Sequence, residues 1–189
     1  MKYTAITHRF NAIGRHQRGA SLLEGIAYLG IAAIVILGAI SLLTGAFSSA
    51  QANRLAEEVL SIRTGVKKLY MGQSNTYGAA AAAPLNLLVA NAGVFPATVA
   101  VIPATGAATN AWGGAVTVTG QIATFDLTYT AVPRDICILA LSGASGWLNI
   151  GAGAAGATAV VGPPLTAVTP ANADAACVAG ANTIIWSSR

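Results

Sequence analysis

The stretch HQRGASLLEGIAYLGIAAIVILG, residues 16–38, decides how the rest of the chain is read. It joins a basic leader to an apolar run through Gly19, and the run carries one carboxylate, Glu24. From Gly25 to Asn53 there is no charged residue, and about 20 apolar residues suffice to cross the hydrocarbon core of a bilayer. Lys2, Arg9, Arg15 and Arg18 all lie on the N-terminal side. That asymmetry predicts a leader held in the cytoplasm and an exported C-terminal bulk.

Three readings of this segment compete. A conventional signal would be cut after the apolar run, where FSSA at 47–50 offers small residues before Gln51. The product would be a secreted or anchored binding module. A plain membrane anchor would keep the leader, but it gives Glu24 no purpose, and a carboxylate costs about 2.5–3.5 kcal/mol near the bilayer centre and less towards a helix end. The third reading is a resemblance to a known family.

RGASLLEGIAYLG resembles the processing motif of type IV pilins and type II secretion pseudopilins: a basic leader ending in Gly, a small residue, an apolar run, and Glu at the fifth position of the processed chain. By that resemblance Gly19 closes the leader, Ala20 becomes the new N-terminus, and Glu24 is the fifth residue. The family implies a prepilin peptidase that cleaves on the cytoplasmic face and methylates the freed amine. A buried carboxylate is tolerable when paired, and the amine at Ala20 of a neighbouring copy is a suitable partner. Glu24 and Ala20 are then the assembly residues, setting axial register in a filament.

Composition narrows the other classes. The chain has 189 residues, 54% of them hydrophobic and 8% charged, far below the roughly 25% charge of an average soluble domain. Of ten Lys and Arg, four precede Gly19, which leaves six against the six acids and removes the net charge of +4. A groove for nucleic acid needs clustered cations without matching acids, so no nucleic-acid partner is expected. Both histidines, His8 and His16, lie in the leader, which excludes His-based catalytic triads and most zinc sites from the processed chain. No Gly-rich phosphate loop occurs between a strand and a helix. The expectation is a structural protein with no enzymatic activity, no cofactor and no metal.

Proline is absent from Ala20 to Ala83, and Leu55, Val59, Ile62, Val66 and Leu69 recur at helical spacing. One helix from about Ala20 to Met71 follows, apolar all round in its first half and striped in its second, with Arg54 and Glu58 paired at i, i+4. Gly30, Gly38 and Gly45 punctuate the first half, where small residues permit close helix packing and where glycine is in any case common. Many pilins have a proline in this half; here Ser41 stands near that position. Arg63, Lys67 and Lys68 read as a solvated face, and Trp112, Trp147 and Trp186 as core.

Beyond the helix, LYMGQSNTYG (69–78) resembles the Tyr-x-Gly exit of type IVb pilins, and TNAWGGAV (109–116) partly matches a turn of that subclass. A short helix is expected from Pro84 to Gly93, another from Pro133 to Ser142 closed by Gly143, and a third from a Thr169–Pro170 start to about Gly180. Ala123, Phe125, Leu127, Tyr129 and Ala131 alternate with polar residues, the period of a half-buried strand, and Gly120–Gln121 fit the hairpin turn before it. NTIIWSS (182–188) fits a last strand, and GAGAAGATAVVG (151–162) a surface loop. Cys137 and Cys177, in the exported part, can form a bridge or remain two free thiols; the type IVb resemblance implies the bridge.

The expected architecture is α+β: a long N-terminal α-helix packed on an antiparallel sheet head, divided into a leader (1–19), a membrane and filament-core helix (20–53), an amphipathic half-helix (54–71) and a disulfide-containing head (72–189). The expected function is the major subunit of a type IVb pilus, for adhesion, bundling or conjugative contact. Its partners would be copies of itself, the prepilin peptidase, the inner-membrane assembly machinery and, before assembly, the membrane. A pseudopilin fits less well, since those chains tend to be shorter and lack the Cys pair.

Overall fold

A computed structural model of the chain describes residues 21–73, 76–78, 81–154, 159–160 and 168–189. It divides into two units, Met1–Leu43 and Thr44–Arg189. The described part of the first unit is helical from Leu22 onward. The second contains the remainder of that helix and the head.

The elements in chain order are α1 (Leu22–Leu69), β1 (Ala81–Pro84), α2 (Asn86–Asn91), β2 (Ala100–Ile102), β3 (Ala107–Thr109), β4 (Ala115–Gln121), β5 (Thr124–Pro133), α3 (Arg134–Ser142), β6 (Asn149–Gly153), β7 (Ala159–Val160), α4 (Pro170–Ala176) and β8 (Ala181–Ser188). The sheet is antiparallel with strand order β2-β3-β4-β5-β8-β6-β7, and β1 pairs with β4 outside that path. The C-terminal strand β8 therefore lies inside the sheet, between β5 and β6.

The core forms where the stripe of α1 meets one face of the sheet. Ala52, Leu55, Val59, Ile62 and Val66 are buried on the helix side, with Val116, Val118, Phe125, Leu127, Tyr129, Ile150, Ile184 and Trp186 on the sheet side. Leu69, expected to complete the stripe, is exposed at the end of the helix, two residues before the expected Met71. Alternation along β5 holds from Phe125 to Tyr129. It breaks at a bulge, where Ala131 adopts φ 58° and Val132 takes the buried place expected of Ala131. No Asp, Glu, Lys or Arg occurs between Leu69 and Phe125, so β1, α2, β2, β3 and β4 are uncharged.

The hairpin turn lies two residues later than its sequence suggests. Gly120 and Gln121 belong to β4, Gln121 pairs with Thr124, and the loop is Ile122–Ala123, with Ile122 at φ 47°. The physical reason is a close approach. A Cβ at Gly120 would lie 2.0 Å from the Tyr77 carbonyl oxygen, so this glycine makes room for the chain leaving α1. The Tyr77 N–H in turn donates to the Ile122 carbonyl at 2.8 Å, holding the loop in its positive φ. Gly120→Ala is expected to lower head stability by about 2–3 kcal/mol, the range for overpacking a tight contact. Denaturant unfolding of the full chain in detergent measures this; an unchanged midpoint would contradict the close-approach role.

Other boundaries moved for similar reasons. Pro84 ends β1 opposite Thr119 and does not open α2. α2 starts at Asn86, whose side chain donates to the Gly106 and Val116 carbonyls and accepts from the Val118 N–H, fastening the helix to β4. α3 spans Arg134–Ser142 with Gly143 at its C-cap. Thr169 caps α4 by accepting from the Asn172 N–H at 3.2 Å, but this helix stops at Ala176, and Cys177 is its C-cap. Of the stretch expected to be a surface loop, Gly151–Gly153 form the buried end of β6 and Ala159–Val160 form β7; 155–158 and 161–162 lie outside the described residues.

Candidate assembly site

The surface that must be covered is the apolar half of α1. Leu22, Leu23, Ile26, Leu29, Ile31, Ile34, Val35, Leu37 and Leu42 all stand more than half exposed. An 18-residue window in this helix has a mean hydropathy of 2.6, and the helix is long and apolar enough to cross a membrane. At Gly25, Gly30, Gly38 and Gly45 an added Cβ would meet nothing within 4 Å, so no contact among the described residues requires these glycines. Exposed aliphatic surface of this extent marks a membrane or partner surface.

Glu24 lies in the first turn of α1. Ser21 precedes the helix, and its Oγ accepts from the Glu24 N–H at 3.2 Å while its carbonyl accepts from the Gly25 N–H. Ser21 and Glu24 thus have the Ser-x-x-Glu spacing of a capping box, and a carboxylate is favoured there by the helix dipole. Sequence reading missed this local role, although the spacing was visible. Gly19 and Ala20 lie outside the described residues.

Polar side chains fix the striped half of the helix to the head. The Arg54–Glu58 pair forms at 3.1 Å with the Glu58 side chain 8% exposed. Beside it the hydroxyl of Tyr129, fully buried, has no well-formed hydrogen bond. Burial first, and then the adjacent Glu58 carboxylate, raise the Tyr129 pKa far above the usual phenol value. The folded state keeps this phenol neutral where the unfolded chain would ionise it. Its contribution is therefore intact below about pH 10 and is lost as pH rises above that. Tyr129→Phe is expected to change stability at pH 7 by less than about 1 kcal/mol, because the hydroxyl beside Glu58 has no well-formed bond to lose. It should also flatten the alkaline limb of a stability–pH curve; a loss above about 2 kcal/mol at pH 7 would show that the hydroxyl is bonded after all.

Arg63 is not the solvated cation its position in a charge cluster suggested. Its guanidinium stacks 4.4 Å from the centroid of the Trp147 ring, donates to Ser188 Oγ at 2.9 Å and donates to the Gly146 carbonyl. Burial lowers its pKa, with Tyr77 acting in the opposite sense. One side chain thus joins α1 to the approach to β6 and to the end of β8. Trp147 and Trp186 are core, whereas Trp112 is half-buried and donates from Nε1 to Gln51 Oε1 at 2.8 Å. Asn110 organises the turn at TNAWGGAV, accepting from the Trp112 and Gly114 N–H groups and donating to the Thr130 carbonyl.

Cys137 on α3 and Cys177 at the end of α4 form a disulfide, and both are buried. Arg134 braces the same junction, donating to the Cys177 carbonyl at 3.0 Å and pairing with Asp174 at 2.7 Å. A groove of about 310 Å³ lies between α1 and α3, lined by Ser49, Asn53, Leu60, Leu139 and Trp147 among others. Among the described residues no cluster of three or more His, Cys, Asp or Glu could hold a metal.

Residues 49–189 match the family model described as PilS N terminal. The chain belongs to the PilS N-terminal family. Among solved structures this PilS-family chain is similar to TcpA, a type IV pilin from Vibrio cholerae El Tor biotype, with a TM-score of 0.51 and 15% identity. The match covers 73% of this chain and 98% of TcpA. No curated protein matches the PilS-family chain in sequence. At that identity the TcpA likeness concerns the fold: a long N-terminal helix packed on an antiparallel sheet. Family and fold agree with the type IV pilin resemblance of the N-terminal motif and are consistent with the type IVb subclass.

Proposed function

We propose that the chain is the major subunit of a type IVb pilus. It is made with the leader 1–19, inserted in the inner membrane through residues 20–53 with its head (72–189) in the periplasm, cut between Gly19 and Ala20 by a prepilin peptidase, and methylated on the new amine. Assembly machinery in the inner membrane then transfers the apolar helix from lipid into the core of a surface filament. Adhesion, bundling or conjugative contact is the filament's work, and the subunit itself carries no catalysis.

The observation that supports this most is the aliphatic surface of α1 between Leu22 and Phe47, whose large side chains stand more than half exposed while none of them belongs to the buried core. Lipid covers that surface before assembly and neighbouring copies cover it afterwards. Gly30, Gly38 and Gly45, which no contact among the described residues requires, let neighbouring helices approach closely. Glu24 pairs with the Ala20 amine of the next copy.

Intact mass of the protein sheared from cells tests the reading in one step. A methylated chain beginning at Ala20 supports it. A chain beginning at Gln51 replaces it with a secreted module released by a conventional signal peptidase, and an intact Met1 replaces it with a plain anchor.

A further inference from the structure

The strand β8 lies inside the sheet. β8 pairs with β5 on one side and β6 on the other, and among the described residues β6 and β7 reach the rest of the sheet through it. Within the sheet, β8 is the strand that joins β1–β5 to the β6–β7 pair. The rungs that join them begin at Pro133↔Ala181 and run to Phe125↔Ser188.

The disulfide stands beside the first of those rungs. Pro133 precedes Cys137 by four residues, and Ala181 follows Cys177 by four. With the bond made, the path from Pro133 to Ala181 shortens from roughly 50 residues to about ten, which raises the chance of that encounter about tenfold by the −3/2 power of loop length. Asn182 fixes the turn between the bond and the strand. Its side chain accepts from the Val178 N–H and donates to the Val178, Gly180 and Val132 carbonyls, the last of these on β5. Both sulfur-bearing residues are then closed off, Cys137 at 0% and Cys177 at 2% exposure.

We infer that the Cys137–Cys177 bond is the register key for β8 and that β8, once seated, seals the bond, so that oxidation precedes closure of the sheet. The oxidation draws on an external disulfide. One cysteine thiolate attacks it and expels a thiolate, and the second cysteine then displaces the remaining sulfur. Two electrons and two protons pass from the cysteine pair to the reagent, which leaves as two thiols. Attack requires exposed sulfur, and both cysteines are buried in the folded head, so the closed head blocks both formation and reduction. The inference rests on sheet topology and burial and is independent of the filament role.

Two measurements on the full chain in detergent test it. In the oxidised protein, reduction by dithiothreitol and hydrogen exchange of the β8 amides should share one urea dependence, shallower than that of the β4–β5 amides, because opening β8 alone exposes the bond. Reduction that follows the β4–β5 amides, or that proceeds at the same rate whatever the urea, overturns the seal. In refolding from the reduced, unfolded chain with oxidised glutathione, N-ethylmaleimide quenching should find β8 protection in bridged molecules, and with reductant present protection should lag about tenfold. Prompt β8 protection in molecules that still take up N-ethylmaleimide overturns the order.

Discussion

Glu24→Val should abolish filaments while leaving the protein in the membrane and processed at its N-terminus. Two effects of the change differ greatly in size. Locally, the helix loses a favourable charge in its first turn, about 0.3–1 kcal/mol, and keeps the Ser21 cap, which uses the backbone N–H of residue 24. Between copies, an amine buried without its carboxylate costs about 3–5 kcal/mol, and a polymer meets that cost at every subunit. The local loss leaves insertion intact; the repeated one removes the assembly. Electron microscopy of sheared material, with intact mass and membrane fractionation of the same cells, reads both. Filaments in normal number would remove Glu24 from assembly, and loss of the protein from the membrane would assign it to helix formation alone.

Replacing both Cys137 and Cys177 with serine should destabilise the head by about 4 kcal/mol, the chain-entropy value for closing a loop of this length; the two residues are separated by 40 positions. That is a large part of the total stability of an ordinary domain, about 5–15 kcal/mol. Arg134 partly compensates, because it holds the same junction through the Cys177 carbonyl and Asp174. The folded double variant should therefore exist, with a denaturation midpoint well below that of the parent. Unfolding in guanidinium checks this. A loss under about 1 kcal/mol would mean that Arg134 and the packing of α3 on α4 suffice without the bridge.

Much of this architecture was readable from periodicity, because periodicity reports burial directly. The spacing of Leu55, Val59, Ile62 and Val66 and the alternation from Phe125 to Tyr129 describe the two surfaces that meet in the core. Close approaches were not readable. Gly120 looks like a turn residue until the Tyr77 carbonyl is placed against it, and a chain segment more than forty residues away leaves no mark on local pattern. Arg63 was misread for a related reason: a cation beside two lysines looks solvated, and only the fold brings Trp147 and Ser188 to it. The interior position of β8 also depends on pairing across distant sequence. In the apolar half of α1, the exposed aliphatic run was legible because composition over many residues reports such a surface. The capping geometry of Ser21 at Glu24 was equally present in the sequence and was passed over.

The uncharged stretch from Leu69 to Phe125 bears on how the material behaves in bulk. Particles stay dispersed when like charges hold them apart, and salt weakens that repulsion. A head that leaves eight of its described elements without a formal charge has little such repulsion to lose. Suspensions should flocculate to a similar degree in dilute buffer and in brine, with clumping governed by hydration of threonine, alanine and glycine surfaces.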